Sequence, residues 1–276
     1  MPEFTRLNHA LSQRLALLWD DFSIGLNLLH RELMRTYKRS RIGFGVILFP
    51  AIAGSFLALG ISAGPSGQTN MNQVYEVLFW LFLMDIGTYP LRLYKRIRPL
   101  IVYLDPSLLS LATAVAMRGF FLGFLRAIPL FFLGNGLPRP LYSLITSDSL
   151  PITNGWLGMA AADALVIAAC TGLLFAIGLF IAAFFLSFME MHQFLPPFFG
   201  LLGYVSGFFP LNRPDILREW DAYNPLSIFR DFLFHVPSQI EVPVSSILIL
   251  VFFVAAFSLL LSRLALHLMN RLMLIR

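Results

Sequence analysis

From Ile42 to Ala63 not one residue carries a charge. At about 1.5 Å per residue, a helix of that length covers the roughly 30 Å hydrocarbon core of a bilayer. Five more apolar runs follow, at about Val74 to Leu93, Pro106 to Leu133, Trp156 to Met189, Phe194 to Leu211 and Val244 to Leu261. Hydrophobic residues make up 58% of the chain and charged ones only 13%, about half the charge density usual in globular domains. The expectation is an all-α polytopic membrane protein with six transmembrane helices.

Lysine and arginine near the ends of spans set orientation, because they are retained on the cytoplasmic side. Arg31 to Arg41 precede the first run, Arg92, Lys95, Arg96 and Arg98 follow the second, and Arg263, Arg271 and Arg276 follow the last. Gly64 to Gln73, between the first two runs, is uncharged. Both termini are therefore expected inside. Gly134 to Gly155 and Asn212 to Pro243 become outer segments. The second of these is too polar to span but rich in Trp220, Tyr223, Phe229, Phe232 and Phe234, which suits a re-entrant or interfacial helical hairpin between spans five and six.

The first 41 residues form a separate cytoplasmic extension, with residues 42–276 as the transmembrane domain. Phe22, Leu26, Leu29, Leu33 and Tyr37 are spaced by four and three, one stripe of a helix with Arg31, Arg35 and Lys38 opposite it. Such a basic amphipathic helix lies at a membrane surface, with an N-cap expected near Asp20 and Asp21. No basic tip followed by a short apolar core opens the chain, so no signal peptide is expected.

The net charge of +5 does not imply nucleic acid, since the basic residues sit at the edges of apolar runs. No GxxxxGK[ST] is present, and "GISAGPSGQ" lacks the lysine, so a phosphate-cradling ATP loop is not expected on this chain. His9, His30, His192, His235 and His267 are not paired at metal-ligand spacing, and Cys170 is the single cysteine. Neither a metal centre nor a disulfide is expected, and no cofactor is assigned to this chain. No GxSxG elbow occurs, and Asp85 and Asp163 stand alone on different spans. Covalent catalysis is not expected.

A charge at mid-bilayer costs about 2.5–3.5 kcal/mol on insertion scales, so Asp85, Asp163, Arg118 and Arg126 need partners or water. The arginines either snorkel or pair with those acids, or they contact an anionic substrate or lipid phosphate.

The basic stretch "RTYKRSRIGFGVILFP" before span one keeps Arg35, Tyr37, Arg39, Ser40 and Gly43 of an RxRYRxSxLG-type pattern, without the tryptophan that usually follows. "LYKRIRPLIVYLDPSLL" supplies a basic turn and proline before span three; "FMEMHQFLPPFF", "FFPLNRPD", "EW" and "YNPLSIFRDFLF" then follow in order. In this arrangement the chain resembles the membrane subunit of ABC-2 type transporters, specifically the capsular-polysaccharide and O-antigen export permeases. The resemblance covers nearly the whole chain. It implies a homodimer in the bacterial inner membrane carrying two copies of a separate ABC ATPase subunit, which alone holds ATP and Mg. It also implies a lipid-linked, anionic polysaccharide passing along the dimer interface; a periplasmic adaptor on Asn212 to Pro243 is left open. By the same resemblance Arg31 to Arg41 would form the elbow helix at the gate. Arg31, Arg35, Lys95, Arg96, Arg98, Glu190 and His192 would couple to the ATPase, Trp80, Asp85, Arg118 and Arg126 would line the substrate path, and Trp220, Asn224, Pro225 and Arg230 would form an outer gate. The alternatives are an ABC-2 exporter of a drug, an ion or teichoic acid, and a membrane enzyme acting on polyprenyl-linked sugars.

Overall fold

A computed structural model describes residues 16, 19–31, 33–34, 45–62, 71–104, 107–132, 154–185, 193–209, 213–234 and 244–274. Among them the regular elements are helices, with no strand. In chain order these are α1 (residues 19–31), α2 (Gly45–Ser62), α3 (Met71–Leu104), α4 (Leu108–Phe132), α5 (Asn154–Phe185), α6 (Leu195–Val205), α7 (Asp215–Trp220), α8 (Pro225–Phe234) and α9 (Val244–Leu274).

The apolar windows Asp163–Phe184 in α5 and Ser245–Met269 in α9 are long and apolar enough to cross a membrane. The two helices pack on each other, and α5 also packs on α3. Ile247, Val254, Ser258, Ser262, Ala265 and Met269 are buried along one face of α9, at the three- and four-residue spacing of a helix. The other face exposes Phe252, Phe253, Phe257, Leu260 and Leu264. A helix apolar on both faces belongs in a core or in lipid, because water covers such a surface only at a cost.

Helices α3 and α5 cross without side chains between them. A Cβ on Gly178 would collide with the carbonyl oxygen of Gly87 and lie 2.8 Å from its carbonyl carbon. The ring of Phe199 in α6 lies so close on Gly87 that a Cβ there would collide with it. Close backbone approach of this kind is what small residues permit between membrane helices.

Three expectations change. The chain stays helical through Pro90, which is buried, and continues to Leu104, so the basic stretch prolongs α3 instead of forming a turn; packing compensates the hydrogen bond that proline removes. The fifth run yields a helix of only 11 residues, α6, about 16 Å long at 1.5 Å per residue and hence half a bilayer core. Asp21 lies inside α1 rather than at its start. Its carboxylate instead accepts the Ser107 hydroxyl at 2.6 Å, while Ser107 Oγ accepts the Ser110 amide at 3.1 Å and caps α4. The acid therefore sits near the positive end of the α4 dipole. Gly25, Leu28 and Leu29 are the buried positions of α1, so of the expected stripe only Leu29 is buried while Phe22, Leu26 and Leu33 are half-buried; α1 meets α4 at Gly25, where a Cβ would strike Ser110 and Thr113.

Candidate functional site at the end of the short helix α6

Described polar side chains gather where α6 stops. The amide of Gly207 donates to the Tyr204 carbonyl at 3.1 Å and that of Phe208 to the Gly203 carbonyl at 3.0 Å. This pair of reverse bonds needs a left-handed residue in the turn, and Gly207 supplies it with φ of 74°. Helix ends leave carbonyls without intrahelical partners and carry partial negative charge. Two arginines answer both needs. Arg213 Nη1 donates to the Val205 carbonyl at 3.2 Å, and Arg230 Nη1 donates to the Ser206 carbonyl at 3.2 Å. A Cβ on residue 207 would collide with the Arg230 guanidinium and lie 2.7 Å from Arg213 Nη2, so glycine is required twice over at this position.

Carboxylates neutralise the pair. Arg213 grips Asp221 with both terminal nitrogens, at 2.9 and 2.6 Å. Arg230 holds Asp231 through Nε at 2.8 Å and Nη2 at 2.5 Å, and its Nη2 stands 4.0 Å from Asp221. Ser227 Oγ lies 3.0 Å from Asp221 Oδ1 and 3.2 Å from the Ser206 carbonyl. Burial alone would raise the Asp221 carboxyl; hydrogen bonds from Arg213 and Ser227, with the charges of Arg213 and Arg230, outweigh it and hold the carboxyl below its ordinary range. The hydrogen bond to Asp221, more than its charge, raises Arg213 further against the opposing effect of burial. Buried Glu76 of α3 lies within electrostatic reach of Arg230, Asp231 and Arg213.

Asn224 starts α8. Its Oδ1 accepts the Leu226 amide at 3.0 Å and its Nδ2 donates to Ser206 Oγ at 3.0 Å. Pro225 takes the first helical position, where a missing N–H costs nothing. From there Leu226, Phe229 and Leu233 are buried, and Phe234 meets the ring of Phe79 in α3 with centroids 5.7 Å apart. By contrast α7 has no buried residue, and Trp220 is 63% exposed.

Trp80 joins the same end of the molecule. It is fully buried, stacks on Phe208 at 4.8 Å, and presses on Gly203, where a Cβ would collide with the indole. Its Nε1 finds no hydrogen-bond partner among the described residues. No known family model and no curated protein matches this chain.

Of the residues assigned from sequence to an outer gate, Asn224, Pro225 and Arg230 meet in this cluster, and Trp220 stands outside it on α7. Of those assigned to a substrate path, Trp80 is core, and Asp85 and Arg118 are half-buried on α3 and α4. The Arg118 guanidinium carbon lies 4.0 Å over the centroid of the Tyr89 ring, a cation–π contact. Asp163 is half-buried on α5 and Arg31 is exposed on α1. Lys95, Arg96 and Arg98 fall in the last part of α3 and Arg126 near the end of α4; their side chains, and Arg35, Glu190 and His192 entirely, lie outside the described residues. Ser206, Gly207, Arg213, Asp221, Ser227, Asp231 and Glu76 were not singled out from sequence. Only "SG" after the apolar run carried a local signal, that of a helix stop.

A second feature is an apolar cavity of about 480 Å³ between α3, α4 and α5, lined by Ile86, Ala112, Ala116, Phe120, Ala168 and Phe175 among others. Thr171 also lines it, with its hydroxyl donated to the Ile167 carbonyl at 2.7 Å.

Proposed function

We propose that this chain is the membrane permease subunit of an ABC-2 type exporter moving a lipid-linked anionic polysaccharide across the bacterial inner membrane, powered by a separate ATPase. In this reading six segments span the bilayer, α6 being the helical part of the fifth, both termini lie inside, and α7 with α8 forms the outer re-entrant hairpin between spans five and six. The observation that carries it is the half-length apolar helix α6, ended by a capped turn and crowned by a polar hairpin that packs back on α3 and α5. Backbone that stops short inside a membrane is tolerated where protein or an aqueous cavity satisfies it, and Arg213 and Arg230 do so for the α6 carbonyls. The apolar faces of α5 and α9 and the ordered sequence motifs support the same reading.

On this chain transport involves no bond making. Closure of the partner ATPase around ATP would favour one arrangement of a permease dimer over another by differential binding. Arg118, half-buried beside Tyr89, is, with Arg126, a cation of α4 that would meet an anionic glycan or its lipid phosphate.

Affinity purification of the full chain in mild detergent, followed by mass spectrometry and an ATPase assay, tests the reading. Recovery of a soluble Walker-motif ATPase, with hydrolysis lost on charge reversal at Arg96 and Arg98, is the expected result. A chain that comes alone and hydrolyses no ATP would overturn it.

A further inference from the structure

Arg213 and Arg230 are held from behind by groups other than Asp221. Arg213 donates to the Val205 carbonyl, and Arg230 donates to the Ser206 carbonyl and to Asp231. Both lie against one carboxylate: Asp221 Oδ2 is 2.6 Å from Arg213 Nη2 and 4.0 Å, beyond hydrogen-bond reach, from Arg230 Nη2, which is bonded to Asp231. The fork that Arg213 presents is the geometry that takes a carboxylate or a phosphate in two parallel bonds. Asp221 itself stands on the turn that follows α7, and α7 buries nothing. Little apolar contact therefore opposes a swing of residues 215–223. Helix α8 keeps its own anchors, Leu226, Phe229 and Leu233.

We propose that Arg213 and Arg230 form a seat for one anionic group, a carboxylate or a phosphate, and that Asp221 is the chain's own occupant of that seat. With Arg213 only 11% exposed and Asp221 19%, an external anion reaches the seat only as Asp221 leaves. Anion binding and release of α7 are then a single event, while the two guanidiniums and α8 stay where they are. The seat deepens the export reading by giving the outer hairpin a ligand chemistry, and it rests on that reading only for the origin of the anion.

Hydrogen exchange on the full chain in phosphatidylcholine nanodiscs tests the idea, with inorganic phosphate or glucuronate compared against sodium chloride at equal ionic strength to remove screening. Phosphate or glucuronate is expected to speed exchange at residues 215–223 several-fold, leaving α8 unchanged, where chloride does not. In Asp221→Ala the seat stands empty, so phosphate should raise the melting temperature by several degrees, a gain that adding Arg213→Leu removes. Phosphatidylglycerol nanodiscs separate the sources: acceleration without added salt assigns the seat to a lipid headgroup, and acceleration only by soluble anions assigns it to a soluble ligand. Equal effects of chloride and phosphate, or exchange that rises together in α7, α8 and α3, would overturn the proposal. Should Asp221→Ala fail to fold, the wild-type titration decides alone. No ATPase enters the measurement, so a negative result leaves the export reading standing, and an intact seat would survive a failed search for a partner ATPase.

Discussion

Replacing Gly178 by alanine adds one methyl group at the α3–α5 crossing. That carbon would collide with the Gly87 carbonyl oxygen, lie 2.8 Å from its carbon and 3.1 Å from its Cα. All three are backbone atoms of a helix, with no side chain free to turn away. Ordinary van der Waals contact begins at 3.4 Å, so the two helices must part along the seam. Gly87 is itself crowded, since the Phe199 ring of α6 lies close against it. Overpacking costs about 1–3 kcal/mol where neighbours relax, and here the upper end applies. At roughly 2–4 °C per kcal/mol for a chain of this size, the melting temperature should fall by about 6–12 °C. Gly200→Ala is the matched control, because nothing lies within 4 Å of its added carbon. Thermal unfolding of both variants in one detergent measures the difference. If Gly178→Ala melts with the wild type, or no lower than Gly200→Ala, the backbone-on-backbone crossing is wrong.

Gly207→Ala should be among the least stable single variants of the hairpin, since it combines a left-handed φ with a collision against Arg230; limited proteolysis between α6 and α8 reads it, and an unchanged digestion pattern would contradict the capped turn. Asp221→Ala should cost about 1–3 kcal/mol at neutral pH by leaving the half-buried Arg213 and the buried Arg230 one carboxylate short. Because the folded Asp221 carboxyl lies below its ordinary value of 3.8, that stabilisation is complete above pH 3.8 and is lost as pH falls through the lower folded value. The gap between the melting curves of wild type and variant should therefore narrow at strongly acid pH, and a constant gap would refute the sign. If the proposed export function is right, Arg118→Ala should reduce polysaccharide export in cells at normal protein level; undiminished export would count against the proposed role of Arg118.

Much of the helical order follows from local chemistry. Long apolar runs predict where α2, α4, α5 and α9 lie, because about twenty apolar residues have few other ways to satisfy their backbone in a bilayer. The polar, aromatic stretch after the fifth run predicts a helical hairpin, and α7 and α8 are found there. Asn224 and Pro225, assigned to an outer gate only by resemblance, start α8 as cap and first-turn proline, contacts that act within four residues. Pro90 taken alone would bend or end a helix, yet α3 runs through it. Its effect on a helix is local, but the burial that keeps α3 helical through it comes from elements far along the chain.

The cluster at the end of α6 belongs to tertiary structure. Arg213, Asp221 and Arg230 are eight and nine residues apart, a spacing with no meaning on one helix or strand. Read singly, each is a charge in a polar segment. They become a neutralised, buried set only because Gly207 reverses the chain and α8 packs on α3, so that two guanidiniums reach the same helix end. The meeting of Gly87 with Gly178 is of the same kind, since a glycine's missing Cβ matters only when another backbone arrives. Periodicity and charge along the chain therefore determined the helices and the bilayer expectation. Which charges neutralise one another, and how closely two helices approach, was decided by contacts between segments distant in sequence, whose energies no local pattern records.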